Sequence, residues 1–285
     1  MRLLQILPLA SCFFLVFLFS SCGSHYGKVG YEESPAIINV SSYDPKETQR
    51  SGASYSPLNQ SSLRQNGALG QIARCSKGYA YDSKCSDFLV GAERQGLLLG
   101  AYHYITPHSS VTTQADHFVA RLKAIRKSRG LTSESIMLVG DVDSKCTVPQ
   151  MISFVKRVKS LTGKYPMIYI ENGELIRSRL RKASSSQKAI LRQCPYWLAL
   201  YSHHYPGIST PKELLRATKV WRTWALWQYG GVEWERGRSM PKHYNKGSWK
   251  TPKYFPGIAR PLERNGFNGS QKELYAFWEK HSWKW

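Results

Sequence analysis

The spacing richest in chemistry is Asp141-Val142-Asp143, which closes the apolar run Ile136-Met137-Leu138-Val139. On a strand, residues two apart face the same side, separated by about 6.5 Å along the backbone. Two carboxylates aimed into one cleft can divide acid and base duties, one held protonated and the other charged. Glycoside hydrolysis needs that division: a proton donor for the leaving oxygen, and a carboxylate that supports an oxocarbenium-like centre or activates water. The pair also suits a divalent cation, and Asp-x-Asp is common on surfaces. Its place at a strand end favours catalysis. Other distinctive side chains fall at comparable positions: Asn39, His103, Tyr201, Gln228 and Tyr229. His103 is expected in the cleft, orienting a carboxylate, whereas alternation turns Tyr102 toward the core. Trp197, Tyr201, Trp227 and Tyr229 are candidate stacking floors for sugar rings, or else core packing.

The elements that must position these residues follow a regular rhythm. Apolar runs at Ala36–Ser42, Ala68–Arg74, Gly96–Tyr104, Ser135–Asp143, Tyr165–Ile170, Tyr196–Tyr201 and Trp224–Tyr229 read as strands. Helical spacing occupies Asp87–Gln95, Thr112–Arg129, Val148–Leu161, about Leu175–Lys182 and Gln271–Lys280, with Gly130 and Gly163 as stops. Continuous apolar strands alternating with helices imply a parallel sheet covered on both faces. Roughly eight strands make it a closed α/β barrel, whose active site lies at the strand C-termini.

One segment breaks the rhythm. Residues 230–261 hold seven Lys and Arg (Arg236, Arg238, Lys242, Lys246, Lys250, Lys253 and Arg260) against Glu233 and Glu235, interleaved with aromatics. It reads either as a solvated basic excursion or as an arm beside the cleft that stacks on sugar or grips anions.

The N-terminus bears on the compartment. Arg2, an apolar run from Leu3 to Phe19 and small residues before Cys22 describe a secretory signal at 1–21, with Cys22 read as a lipid-attachment cysteine ahead of a polar tether over 22–34, or else an ordinary signal cut nearby with Cys22 a bystander. The formal charge is +21. Such an excess favours polyanionic surroundings, and export removes nucleic acid from the candidates, leaving an anionic membrane face or wall polymer. Cys75, Cys85, Cys146 and Cys194 remain after export, and an oxidising compartment makes two disulfides the expectation, Cys75–Cys85 and Cys146–Cys194. No zinc-ligand spacing is present.

Several segments together resemble the glycoside hydrolase family 25 lysozymes. They are Ile38-Asn39-Val40-Ser41-Ser42-Tyr43, Gly100-Ala101-Tyr102-His103-Tyr104 with Gln114-Ala115-Asp116-His117-Phe118, and Val139-Gly140-Asp141-Val142-Asp143. Tyr196-Trp197-Leu198-Ala199-Leu200-Tyr201, Leu226-Trp227-Gln228-Tyr229, and Leu262-Glu263-Arg264-Asn265 with Phe267-Asn268-Gly269-Ser270 continue them in order. The resemblance implies one domain over 35–285, a flattened TIM-like β/α barrel that cleaves the bond after N-acetylmuramic acid in peptidoglycan. It departs from the family pattern at the acids: Asn39 and Glu263 stand where the family has Asp, Asp143 where it has Glu, and Cys75-Ser76-Lys77-Gly78 replaces Ala-Thr-Glu-Gly. Shortening Glu to Asp withdraws a carboxyl by about 1.5 Å, and a misplacement near 1 Å costs on the order of a hundredfold in rate. Glu263, one bond longer, is positioned to compensate.

The sequence thus predicts a monomeric, exported, membrane-anchored muramidase facing the periplasm or cell surface, with Asp143 as proton donor, Asp141 as electrostatic partner and Glu263 in support. Asn39, His103, Trp197, Tyr201, Trp227, Gln228 and Tyr229 bind substrate, and no metal or cofactor is required. A barrel that binds wall glycan without turnover is the alternative, and a basic effector aimed at a neighbouring cell's wall is a third.

Overall fold

The computed structural model describes residues 34–44, 58–171, 173–200, 211–230, 255–258 and 262–285. The signal and Cys22, nearly all of the tether, Tyr201 and most of the 230–261 insertion lie outside the described residues.

From the N-terminus the elements run β1 (Ala36–Val40), α1 (Gln60–Gln65), β2 (Ala68–Lys77), β3 (Ala80–Tyr81), α2 (Cys85–Arg94) and β4 (Leu98–Ile105). Then come α3 (Val111–Arg129), β5 (Ser135–Val142), α4 (Val148–Thr162), β6 (Met167–Glu171), α5 (Glu174–Lys182) and α6 (Ser185–Leu191). The chain closes with β7 (Tyr196–Ala199), α7 (Pro211–Thr218), β8 (Leu226–Gly230), β9 (Glu263–Phe267), α8 (Gln271–His281) and β10 (Trp283–Lys284).

Eight of these strands form a closed wall in the order β1-β9-β8-β7-β6-β5-β4-β2, with β1 pairing β2 to complete the circle. Seven are parallel, as the alternating pattern requires. The eighth, β9, is antiparallel to both β8 and β1, a departure from the all-parallel expectation. The reason is connectivity: β8 ends at the C-terminal mouth, where Gly230 pairs with Arg264, so β9 enters at the mouth and can only run back down.

Two apolar clusters hold the wall. The larger lies between the outer strand faces and the helices, with Ile38, Ala101, Leu138, Ile168 and Leu198 meeting Leu89, Phe118, Phe154 and Leu214. The smaller fills the lower barrel: Ile37, Ile72, Met137, Val139, Met167, Leu226 and Phe267, floored by Leu274 and Trp278 of α8. The Trp278 indole N–H donates to Leu99 C=O at 2.9 Å, satisfying the one polar atom that this floor buries on Trp278. Helices α3 and α4 end in left-handed glycines, Gly130 (φ 62°) and Gly163 (φ 76°), where a side chain would be strained.

The expected disulfides are absent: Cys75, Cys85, Cys146 and Cys194 are all buried free thiols. Cys146 follows the upper end of β5 and Cys194 precedes the lower end of β7, so the barrel's height separates them. The Cys85 thiol hydrogen-bonds with Cys75, and that contact together with burial pushes its pKa up. Burial likewise raises Cys146 to about 12, so neither group is a ready thiolate.

Candidate active site

At the C-terminal ends of the parallel strands the barrel opens into a cavity of about 240 Å³. Its wall follows from alternation applied strand by strand. From β4 come Tyr102 and Tyr104, from β5 Asp141, from β6 Tyr169 and from β7 Trp197. Tyr104, Asp141, Tyr169 and Trp197 share one row, because Tyr104 and Tyr169 both register with Asp141 and Tyr169 with Trp197. Asn39, Ser41, Tyr43, Arg74, Gln228 and Glu263 supply the remaining polar wall. Gly140, just before Asp141, has no side chain because Phe154 and Ile105 press against the outer face of β5: an added Cβ would lie 3.0 Å and 3.1 Å from them.

A hydrogen-bonded network fixes one side of the cavity. Asn39 Oδ1 accepts from Gln228 Nε2 at 3.1 Å and from Asn265 Nδ2 at 2.8 Å, while Asn39 Nδ2 donates to Glu263 Oε2. Gln228 Oε1 accepts from the Tyr169 hydroxyl at 2.6 Å, and Asn265 Oδ1 from the Trp197 indole at 2.8 Å. Asn39 and Gln228 are 4% and 2% exposed, so their orientations are locked by these partners.

The opposite side is ionic. Arg74 Nε meets Asp82 Oδ2 at 2.8 Å, and a terminal nitrogen donates to Ser42 Oγ at 2.9 Å. Burial works to lower the Arg74 pKa, but Tyr102, Asp82 and Tyr43 outweigh it and hold the guanidinium charged. Burial pushes the Tyr102 phenol well up; Arg74 opposes this, and the charges of Asp141 and Glu263 add to it. Tyr102 is therefore a neutral hydroxyl, a donor within electrostatic reach of two carboxylates.

Asp141 and Glu263 lie together in the cavity wall, with Asn39, Gln228 and Trp197. Asp143 does not line it. The strand ends at Val142, and Asp143 turns to the rim, where Oδ2 accepts from the Tyr104 hydroxyl at 2.8 Å and Oδ1 from the Lys145 backbone N–H at 2.8 Å. Asp143 thus reaches the cavity through Tyr104, itself a wall residue.

Three expected cleft residues stand elsewhere. His103 is 0% exposed and points outward from β4, bonded to Ser76 Oγ (2.7 Å) and Gln114 Oε1 (3.0 Å) and stacked on Phe154. Burial lowers its pKa to about 4, against the Gln114 hydrogen bond, which favours charge. It is a neutral core histidine. Trp227 and Tyr229 also face outward into the helix layer, Trp227 donating to Leu200 C=O at 2.9 Å. Alternation forbids them to share a face with Gln228, which takes the inside. The same rule, counted from Asp141, would have found Tyr102, Tyr104 and Tyr169, whereas Arg74 announces itself only as the charge within the apolar run of β2.

Among the described residues no group of His, Cys, Asp and Glu is placed to hold a metal ion. The arrangement can bind a polyhydroxylated ring, offering amide and phenol hydrogen bonds, aromatic surface and carboxylates in one recess.

Residues 39–237 match the model of glycosyl hydrolases family 25. The chain is 25% identical over 235 residues to lysozyme M1 of Streptomyces globisporus, covering 77% of this chain and 66% of that protein. It is 26% identical over 189 residues to the uncharacterized protein YegX of Escherichia coli K12, covering 65% of this chain and 54% of that one. The chain thus spans between half and two thirds of these relatives' length. A solved bacterial lysozyme from Streptomyces coelicolor superposes with a TM-score of 0.57 at 20% identity, over 87% of this chain and 98% of that one, a likeness of fold.

Proposed function

This chain belongs to glycosyl hydrolases family 25, and from that premise we propose that it hydrolyses peptidoglycan glycan at the bond following N-acetylmuramic acid. The observation that carries the reading is the cavity at the strand C-termini with Asp141 and Glu263 in its wall, Asp143 at its lip and Tyr102, Tyr104, Tyr169 and Trp197 around it. A relative named lysozyme M1 supports it, and the solved Streptomyces coelicolor lysozyme shares the fold.

In this reading a sugar ring lies across Tyr104, Tyr169 and Trp197, and its hydroxyl and acetamido groups bond Gln228 and the neutral Tyr102. Asp143 donates a proton to the departing oxygen at the rim, with Tyr104 holding its carboxyl. Asp141 supports positive charge at the anomeric carbon, and Glu263, oriented by Asn39, adds to that field. The protein works as a monomer and requires no cofactor. We propose further that it is exported and tethered through a lipid on Cys22, in which case acyl-label incorporation is lost in Cys22→Ser.

One observation favours a second reading, wall binding without turnover. Both Asp143 oxygens already accept hydrogen bonds, and Asn39 binds Glu263. The test is incubation of the protein with purified peptidoglycan, followed by mass spectrometry of soluble products. New muramic-acid reducing ends that vanish in Asp141→Asn and Asp143→Asn support the hydrolase. Sedimentation with insoluble wall and no released product supports the binding module instead. Full activity in Glu263→Gln would remove Glu263 from the acid set.

A further inference from the structure

The end of the barrel opposite the cleft, where the helices return the chain to the strands, is strongly basic. Arg126, Lys127 and Arg129 lie in the last turn of α3, Lys159 in that of α4 and Arg216 in that of α7. A helix dipole favours a cation at such a place, but it does not account for Lys219 and Arg222, exposed in the loop that follows α7. Lys219 is held at φ 57°, a left-handed conformation that glycine adopts without strain. Of the acids facing these cations, Asp87 pairs with Arg129 at 2.9 Å and Glu93 is turned onto the backbone N–H groups of Thr132 and Ser133, while Glu134 and Glu279 are exposed.

An apolar recess opens among these cations. It has a volume of about 460 Å³, walls of Trp221, Trp224, Phe267 and Phe277, and Arg192 and Arg222 at its border. The half-buried Trp285 is at the same end, with the Arg126 guanidinium 5.4 Å from its ring centroid. The N-terminal segment also enters here: Phe267 N–H donates to Pro35 C=O at 3.0 Å, beside the recess. Upstream of that point the sequence carries the apolar run from Leu3 to Phe19.

We propose that this end of the barrel is a docking face for an anionic phospholipid bilayer. Lys and Arg near such a surface meet headgroup phosphates, each worth about fivefold in partitioning. Tryptophan beside cations is the composition of a protein surface seated at the membrane interface. An anionic wall polymer satisfies the charge but leaves the recess empty, whereas a bilayer supplies acyl chain and phosphate together. Docked this way, the cleft faces away from the membrane. The proposal is independent of the hydrolase reading.

The test uses full-length protein and vesicles of pure phosphatidylcholine or of phosphatidylcholine with phosphatidylglycerol, read by co-sedimentation. An N-terminal anchor contributes to both vesicle types, so the preference for phosphatidylglycerol isolates the face. Wild type is expected to prefer the anionic vesicles by at least tenfold. The triple variant Arg216→Glu, Lys219→Glu, Arg222→Glu is expected to lose that preference, while Lys145→Glu, Lys156→Glu, Lys212→Glu, which changes charge by the same amount away from this end, keeps most of it. Should the first variant melt early, its Gln counterpart replaces it. Equal losses in both triples, no anionic preference in wild type, or capture by isolated wall polymer with vesicles unbound would each overturn the proposal.

Discussion

The two ends of the barrel are built from the same strands and do opposite work. At the lower end the inward positions of β1, β5 and β6 are Ile37, Met137 and Met167, closed by Leu274 and Trp278. A few residues further along, the inward positions are Asn39, Asp141 and Tyr169. Below, stability comes from burial, at about 25 cal/mol per Å² of apolar surface. Above, buried amides and carboxylates are held by one another, an arrangement that is costly to fold unless every partner is present. Each strand therefore changes from core to site along its length.

Substitutions at either end sharpen that contrast. Asp141→Asn should cost about a thousandfold in turnover, the scale of losing a charged catalytic group, while the melting temperature holds. Equal loss of melting temperature would mean Asp141 is part of the scaffold. At the other end Trp278→Ala should cost on the order of 4 kcal/mol of stability in denaturant unfolding. It removes the floor and leaves Leu99 C=O without its donor. Activity per folded molecule should survive, and its loss would mean that the lower end positions the cleft.

The helix layer adds a pH test. His103 is neutral when folded, with its pKa lowered to about 4. The unfolded chain takes up this proton first, near its ordinary pKa of about 6.5. Stability from this group is therefore complete above that value and falls between about pH 6.5 and 4, by on the order of 3 kcal/mol. Denaturant midpoints across this range should show the slope, and His103→Gln should flatten it. The smallest effect is at the rim. Tyr104 donates to Asp143, so Tyr104→Phe frees that carboxyl from its support and should lower turnover by about tenfold while sedimentation with insoluble wall is unchanged. Unchanged turnover would separate this contact from the chemistry.

The sequence carried the barrel well, because continuous apolar runs and helices ending at Gly130 and Gly163 are local signals that tertiary packing reinforced. It also placed Asn39, Asp141, Trp197, Gln228 and Glu263 at the mouth, and all five line one cavity. It was less informative where a residue type suggests a role that its register denies. His103, Trp227 and Tyr229 look like site residues by chemistry but face the helices, while Tyr102, which alternation sends to the core, lines the cavity.

By itself, then, the chain determined which stretches become seven of the eight wall strands, where their polar ends lie and how much positive charge the surface must carry. Only the closed wall decided which face of each strand is inside, that β9 runs downward, that Asp143 turns to the rim beyond the last paired residue of β5, and that the last-turn cations of α3, α4 and α7 lie opposite the cleft. Those properties depend on barrel closure and strand register, which couple residues more than two hundred positions apart, such as Asn39 and Glu263. No local pattern in the sequence records such a pairing.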